Sequence, residues 1–342
     1  MTFSLEEQEN IIKTRSPKKL GGYVSENMFL QRLFKEYPDI EYTKGWWGAR
    51  GMLDFYFFVV KDSLNSLDSK IIDLIEKNGY IWIQILLCNG EIRLINDIVS
   101  ESVKEFTDNH RISRYRNRDR KFIYKNTERC IEYLKNNDML ESTAKSIFIE
   151  EEFLNKYYFV VNYDLIYILN NKITACEVKF KNEFMQKIDN KRTMVFGVDK
   201  ENYDKYLRKL MECGIEVANI VLYNYIKTTN ENSNSNRTLI FDYLDGKGNL
   251  DDFWKVHVFD PKREYPIRYG SNRPMSGWNE SYRTDNVYCI PLKECRDFFE
   301  YSLPEKYKAD KPEGAWGYIK DTSKLRVIRE YHPSGDEFLW SI

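Results

Sequence analysis

Histidine and paired cysteine are what this chain has least of. It holds three histidines, and its six cysteines at positions 88, 130, 176, 213, 289 and 295 form no Cys-x-x-Cys pair. A zinc cage or a disulfide framework is therefore not expected. An excess of one charge is missing too: 52 basic against 53 acidic residues leave a net charge of -1. Attraction for a polyanion would have to come from local clusters. The longest apolar runs, "LDFYFFVV" and "YIWIQILLC", fall well short of the ~20 residues that cross a bilayer as a helix. The opening "MTFSLEEQENIIKTR" lacks the apolar core of a signal peptide. The expectation is a soluble, cytoplasmic protein with no membrane partner.

What the chain does have is the makings of a large core. It has 342 residues, 42% hydrophobic, 31% charged and 15% aromatic, with 25 Tyr and 20 Phe. That composition predicts a globular protein of two domains, or one domain with large insertions. Residues 1–140 alternate helical and strand patterns and read as an N-terminal α/β region. "SENMFLQRLFKEY" is an amphipathic helix, "GMLDFYFFVV" and "YIWIQILLC" are buried strands, and "SLDSKIIDLIEKNG" is a helix capped by Ser66 or Asp68 and stopped by Gly79. Residues 141–342 open with a helix over 142–156, whose apolar stripe of Ile147, Phe148 and Leu154 includes Glu151. Then come a hairpin, a polar basic loop over 181–192 and the strand "TMVFGV". A helix with Asp199 as N-cap and Gly214 as stop follows, then the strand "IEVANIVLYNYI".

The hairpin, "YDLIYILNNKITACEVKF" over 163–180, carries the chemistry. Asn170-Asn171 suits a two-residue type I′ turn, because Asn tolerates positive φ. Facing residues then have numbers that sum to 341, which sets Asp164 opposite Glu177 with Cβ atoms roughly 4.5–5.5 Å apart. Lys179 projects from the face of Glu177, because side chains alternate along a strand. Both hairpin faces are otherwise mostly apolar, so two opposed acids there need compensating positive charge. Lys179 supplies one charge, and a divalent ion held by both carboxylates would supply the rest.

An aspartate on one strand and an acid-x-lysine tripeptide on its neighbour resembles the catalytic centre of the PD-(D/E)XK nuclease superfamily. The matching residues are Asp164 and Glu177-Val178-Lys179, with Tyr163 where the motif has proline. The resemblance spans residues 142–226. It implies an α/β fold, a central mixed β-sheet flanked by helices in a restriction-endonuclease-like core, with the N-terminal α/β region before it and a C-terminal extension after it. It implies Mg²⁺ held by Asp164 and Glu177, a water positioned by Lys179, and a helical glutamate to which Glu151 corresponds. The activity implied is a restriction or defence-type endonuclease acting on double-stranded DNA, as a homodimer.

Five other acid-x-lysine tripeptides, beginning at Asp68, Asp119, Asp189, Asp245 and Asp260, lie outside apolar strands. A rival pair, Asp54 with Glu91-Ile92-Arg93, places arginine where the lysine would be, and a guanidinium does not give up its proton. For binding, "RISRYRNRDRK" repeats arginine with period two at Arg114, Arg116, Arg118 and Arg120, followed by Lys121. An extended row of this kind suits a phosphate backbone. Arg268 and Arg273 sit in a loop rich in Arg, Asn and Trp that could enter a groove. The alternatives are an edge hairpin with solvated acids and a non-catalytic nucleic-acid-binding or interaction protein on an α/β scaffold.

Overall fold

Strand β3 (Phe55–Val60) organises the first part of the computed structural model, which describes residues 3–15, 17–51, 54–88, 91–95, 125–154, 159–181, 184–223, 226–228, 254–269, 272–274, 282–284, 286–299, 318–321 and 326–329. It lies in a five-stranded sheet ordered β5 (Glu91–Ile95), β4 (Ile81–Cys88), β3, β2 (Trp46–Arg50) and β6 (Phe159–Tyr163). Only the β3–β4 pair is parallel. Alternation sends Tyr56 and Phe58 to one face, where they meet Trp47, Ala49, Ile83, Ile85, Ile149 and Phe153. Phe55 and Phe57 go to the other face, against Tyr80, Tyr163 and Tyr206. Burial on both faces is why this strand reads as one apolar run rather than an alternating one.

The same unit holds helices α1 (Leu5–Lys13), α2 (Pro17–Glu36), α3 (Ser66–Lys77), α4 (Lys125–Asn136) and α5 (Leu140–Glu152), and Ile11 of α1 and Ile149 of α5 help cover the Tyr56–Phe58 face. α1 packs along α5, and α2 along α4. A helical run over 200–212 consists of α6 (Lys200–Asn202), a π-helical turn (Tyr203–Leu207) and α7 (Arg208–Glu212). It ends at Gly214, which takes φ +80° as a helix stop requires. Asp199, expected as its cap, instead closes a strand. In α3 the cap is Asn65 rather than Ser66 or Asp68. Asn65 Oδ1 accepts from the Asp68 N–H, and Asp68 returns the bond to the Asn65 N–H. Asp68 also accepts from Thr43 (2.5 Å), Trp46 (2.9 Å) and Lys61 (2.7 Å). Burial pushes its carboxyl up, but those bonds together hold it below the usual carboxylate range.

A second run of strands is ordered β1 (Glu41–Thr43), β7 (Leu165–Leu169), β8 (Lys172–Lys181) and β11 (Glu216–Tyr223). The chain forms two compact units, Met1–Glu177 with Asn202–Ala218, and Val178–Glu201 with Asn219–Ile342. It leaves the first unit inside β8 and leaves it again inside β11. The mixed α/β class is thus observed.

In the second unit, β9 (Phe184–Ile188) and β10 (Lys191–Asp199) form a hairpin. This corrects the basic loop expected over 181–192. Asp189 and Asn190 at φ +48° and +67° make a tight turn between two strands whose lysines hid the alternation. β12 (Ile226–Thr228), β13 (Trp254–Val258), β14 (Ile267–Arg268), β15 (Asn272–Pro274), β16 (Tyr282–Thr284) and β17 (Val287–Pro291) follow. The chain then adds β18 (Arg296–Asp297), β19 (Tyr318–Asp321) and β20 (Arg326–Arg329). β14, β17, β10 and β9 form one sheet in that order.

Candidate active site

The chain turns a corner at Asp164. Up to Tyr163 it is β6, paired with β2 so that Trp46 faces Tyr163. From Leu165 it is β7, paired with β1 and β8. Asp164 belongs to neither strand. The β7–β8 ladder has the expected register: Leu165 faces Cys176, Ile166 faces Ala175 and Ile168 faces Ile173, all summing to 341. Asn170 and Asn171 both take positive φ, +52° and +61°. The ladder stops at Leu165–Cys176, and Asp164 and Glu177 are the residues next to that pair. Asp164 is 4% exposed and Glu177 7%, and β7 and β8 are interior strands of their sheet. An edge hairpin with solvated acids is therefore not what forms.

The surroundings of Asp164 come from distant sequence. Tyr23 on α2 is held above the usual tyrosine range, first by burial and then by the negative charges of Glu150, Glu26 and Asp164, with Arg15 opposing. Three acids from three elements therefore act on one hydroxyl. Arg15, 6% exposed, pairs with Glu150 at 3.0 Å, and Lys44 approaches Glu26 at 3.9 Å. The Cys176 thiol is raised by burial and further by Asp164. Tyr163 is pushed up by burial, by Cys213 and Tyr206, and by Glu177. Its Oη donates to the Tyr206 carbonyl at 3.3 Å, lying over Gly48, where no side chain obstructs it.

The sequence did not single out Arg15, Tyr23, Glu26, Lys44 or Glu150. Helix phase offered one signal: Leu140, Ala144 and Ile147 are buried, which keeps Glu150 near the packed side of α5. Glu151 lies in that helix, with its side chain outside the described residues. Lys179 is half-buried, two residues past Glu177 in β8. Arg114, Arg116, Arg118, Arg120 and Lys121 fall outside the described residues. Arg268 is exposed at the end of β14, and Arg273 lies in β15 with its side chain outside the described set. The rival pair is not brought together, because β4 runs between β3, which follows Asp54, and β5, which holds Glu91.

Among the described residues no three His, Cys, Asp or Glu side chains gather as a metal cage. Two buried carboxylates beside the end of one ladder suit a hard ion such as Mg²⁺, which usually takes one or two protein carboxylates and completes its octahedron with water and substrate oxygens. Among the described residues no helix is long and apolar enough to cross a membrane. Compared with family models, curated proteins and solved structures, the chain matches none of them.

Proposed function

We propose that the chain is a Mg²⁺-dependent endonuclease acting on double-stranded DNA, of the restriction or defence type. The observation that supports it is that Asp164 and Glu177, both nearly solvent-free, flank the last pair of the β7–β8 ladder at a strand corner. In this reading Asp164 and Glu177 hold the ion. When bound, the ion lowers the pKa of a coordinated water and offsets charge on the phosphate. Lys179, as the ammonium, would orient the attacking water for in-line displacement at phosphorus, and the water's proton would leave to solvent. The bond to the 3′ oxygen breaks, leaving a 3′-hydroxyl and a 5′-phosphate. The arginine row over 114–120 with Lys121, and Arg268 and Arg273, hold phosphates and register the duplex. A palindromic site would call for a two-fold dimer.

The helical acid of the site is Glu150 or Glu151. The resemblance assigns Glu151, and Glu150, whose carboxylate pairs with Arg15, is tested beside it. The test is plasmid cleavage with and without Mg²⁺ by wild type and by Asp164→Asn, Glu177→Gln, Lys179→Ala, Glu150→Gln and Glu151→Gln. The first three are expected to lose at least ~10²-fold in rate while DNA binding persists. Binding without cleavage by wild type on varied DNA and RNA rejects the nuclease.

A second reading, a non-catalytic nucleic-acid-binding protein, is favoured by one observation. Arg15 and Lys44 already supply positive charge beside Glu150 and Glu26, so part of the buried acidity has a structural partner. In that case Asp164→Asn leaves binding intact and changes only stability.

A further inference from the structure

The β9–β10 hairpin of the second unit carries basic residues that the proposed chemistry does not use. Between Lys181 and Arg192 four basic residues stand against two acidic ones. β10 pairs with β17 only from Val195 onward, so among the described residues 191–194 ladder to β9 alone. The hairpin thus runs past the end of its sheet as a two-stranded ribbon. Thr193 is 5% exposed, so the ribbon is covered as far as the Thr193–Gln186 pair. Beyond that pair Lys187, Asp189, Asn190 and Lys191 are exposed. Asp189 and Asn190 form the turn, both at positive φ, a tight geometry that fixes how the tip is presented.

Lys187 is registered with Arg192, and Lys191 with Ile188. Alternation therefore puts the two lysines on opposite faces of the ribbon. Neither is in an ion pair among the described residues. Basic residues registered opposite each other cost a ribbon stability, and an anionic partner offsets that cost. The shape of the partner follows from dimensions. Side-chain layers of a sheet stack ~10 Å apart, so the ribbon is ~10 Å thick. That is close to the ~12 Å width of the major groove of B-DNA and well above the ~6 Å of its minor groove. The stretch from Gln186 to Asp189 spans ~10 Å, enough to reach the floor of a groove ~8.5 Å deep. A flat acidic protein surface would meet one face and leave the other lysine in water.

We propose that this tip enters the major groove of duplex DNA, with Lys187 and Lys191 against the phosphates of opposite walls and Asp189-Asn190 at the base edges. Asn190 carries the amide that pairs with adenine N6 and N7. Asp189 can only accept, and between two rows of phosphates its carboxylate needs a donor, which the amino group of cytosine supplies. The lysines then position the ribbon and the turn reads sequence. The inference rests on the reading of duplex DNA as the substrate and names a part of the chain that recognises it.

Fluorescence anisotropy of the full chain on a labelled DNA duplex of random sequence, without metal so that no strand is cut, tests it. Lys187→Ala/Lys191→Ala is expected to weaken binding ~10-fold at ~0.15 M salt and to reduce the slope of log K against log salt by about 2, with an unaltered melting curve showing that the variant folds. An RNA duplex of the same sequence has a major groove too narrow for the ribbon, so its binding is expected not to depend on the two lysines. Selection from a random DNA pool is expected to enrich adenine and cytosine at adjacent positions. Asp189→Gly/Asn190→Gly, which keeps the turn, is expected to lose that preference by ~10-fold. A slope that the lysine variant leaves unchanged on DNA that wild type binds, an equal loss on RNA, or a base preference absent from wild type or retained by the turn variant, each overturns the proposal. Wild type that binds DNA through the lysines but never cleaves it with Mg²⁺ rejects the nuclease and leaves the ribbon standing; wild type that binds no duplex rejects both.

Discussion

Gly48 shows how one missing side chain holds a site together. A Cβ there would collide with Tyr163 Oη and come within 2.8 Å of Phe55 Cζ. Gly48→Ala is therefore expected to cost about 1–3 kcal/mol in urea unfolding. Tyr163→Phe in the same background is expected to restore part of that loss, because it removes one of the colliding atoms. Additive effects of the two changes would show that the tyrosine does not sit over the glycine. In the second unit, His257 Nε2 lies 3.1 Å from Tyr265 Oη, which already accepts from the Asp260 N–H at 2.9 Å. When the imidazole is neutral with Nε2 unprotonated, the tyrosine O–H donates to it. Burial holds His257 below its usual range, against a smaller upward pull from Glu294. An unfolded histidine takes up its proton near pH ~6.5 and the folded one only at lower pH. Its contribution to stability is therefore present above pH ~6.5 and lost as the pH falls below it. Melting curves of wild type and His257→Gln across that window are expected to converge towards the acid side; parallel curves would reject this.

At the scale of the element, the β7–β8 hairpin was the most legible part of the chain. Its period of two and its Asn-Asn turn together left one register, and that register is the one observed. The turn therefore gives a direct handle on the acid pair. Asn171→Gly keeps φ +61° available and is expected to leave stability unchanged or raise it by up to about 1 kcal/mol. Asn171→Val is expected to lower it by about 1–2 kcal/mol, measured by urea unfolding. Under the nuclease reading, Asn171→Val also lowers cleavage and Asn171→Gly does not. What surrounds Asp164 was illegible for a physical reason. Tyr23, on which its charge acts, lies more than a hundred residues away in sequence, and the helix packing that brings the two near leaves no local pattern. The caps failed on a finer point: Ser66 and Asp68 both fit the composition of an N-cap, and only the reciprocal bond identifies Asn65. The π-turn at 203–207 leaves no mark in the apolar periodicity of its helix and could not be anticipated.

For the whole molecule, near-neutral charge leaves long-range steering weak, and any hold on nucleic acid falls to clusters such as the one at 114–121. The mixed α/β class was readable from alternating patterns, but the partition into units was not, because contacts and not sequence position define it. That partition has a topological consequence. The polypeptide departs from the first body after Glu177 and comes back at Asn202, so no single scission can release that body as one continuous piece. A protease site engineered into the Asp189-Asn190 turn is expected to give two fragments that migrate as one particle in gel filtration and separate only in denaturant.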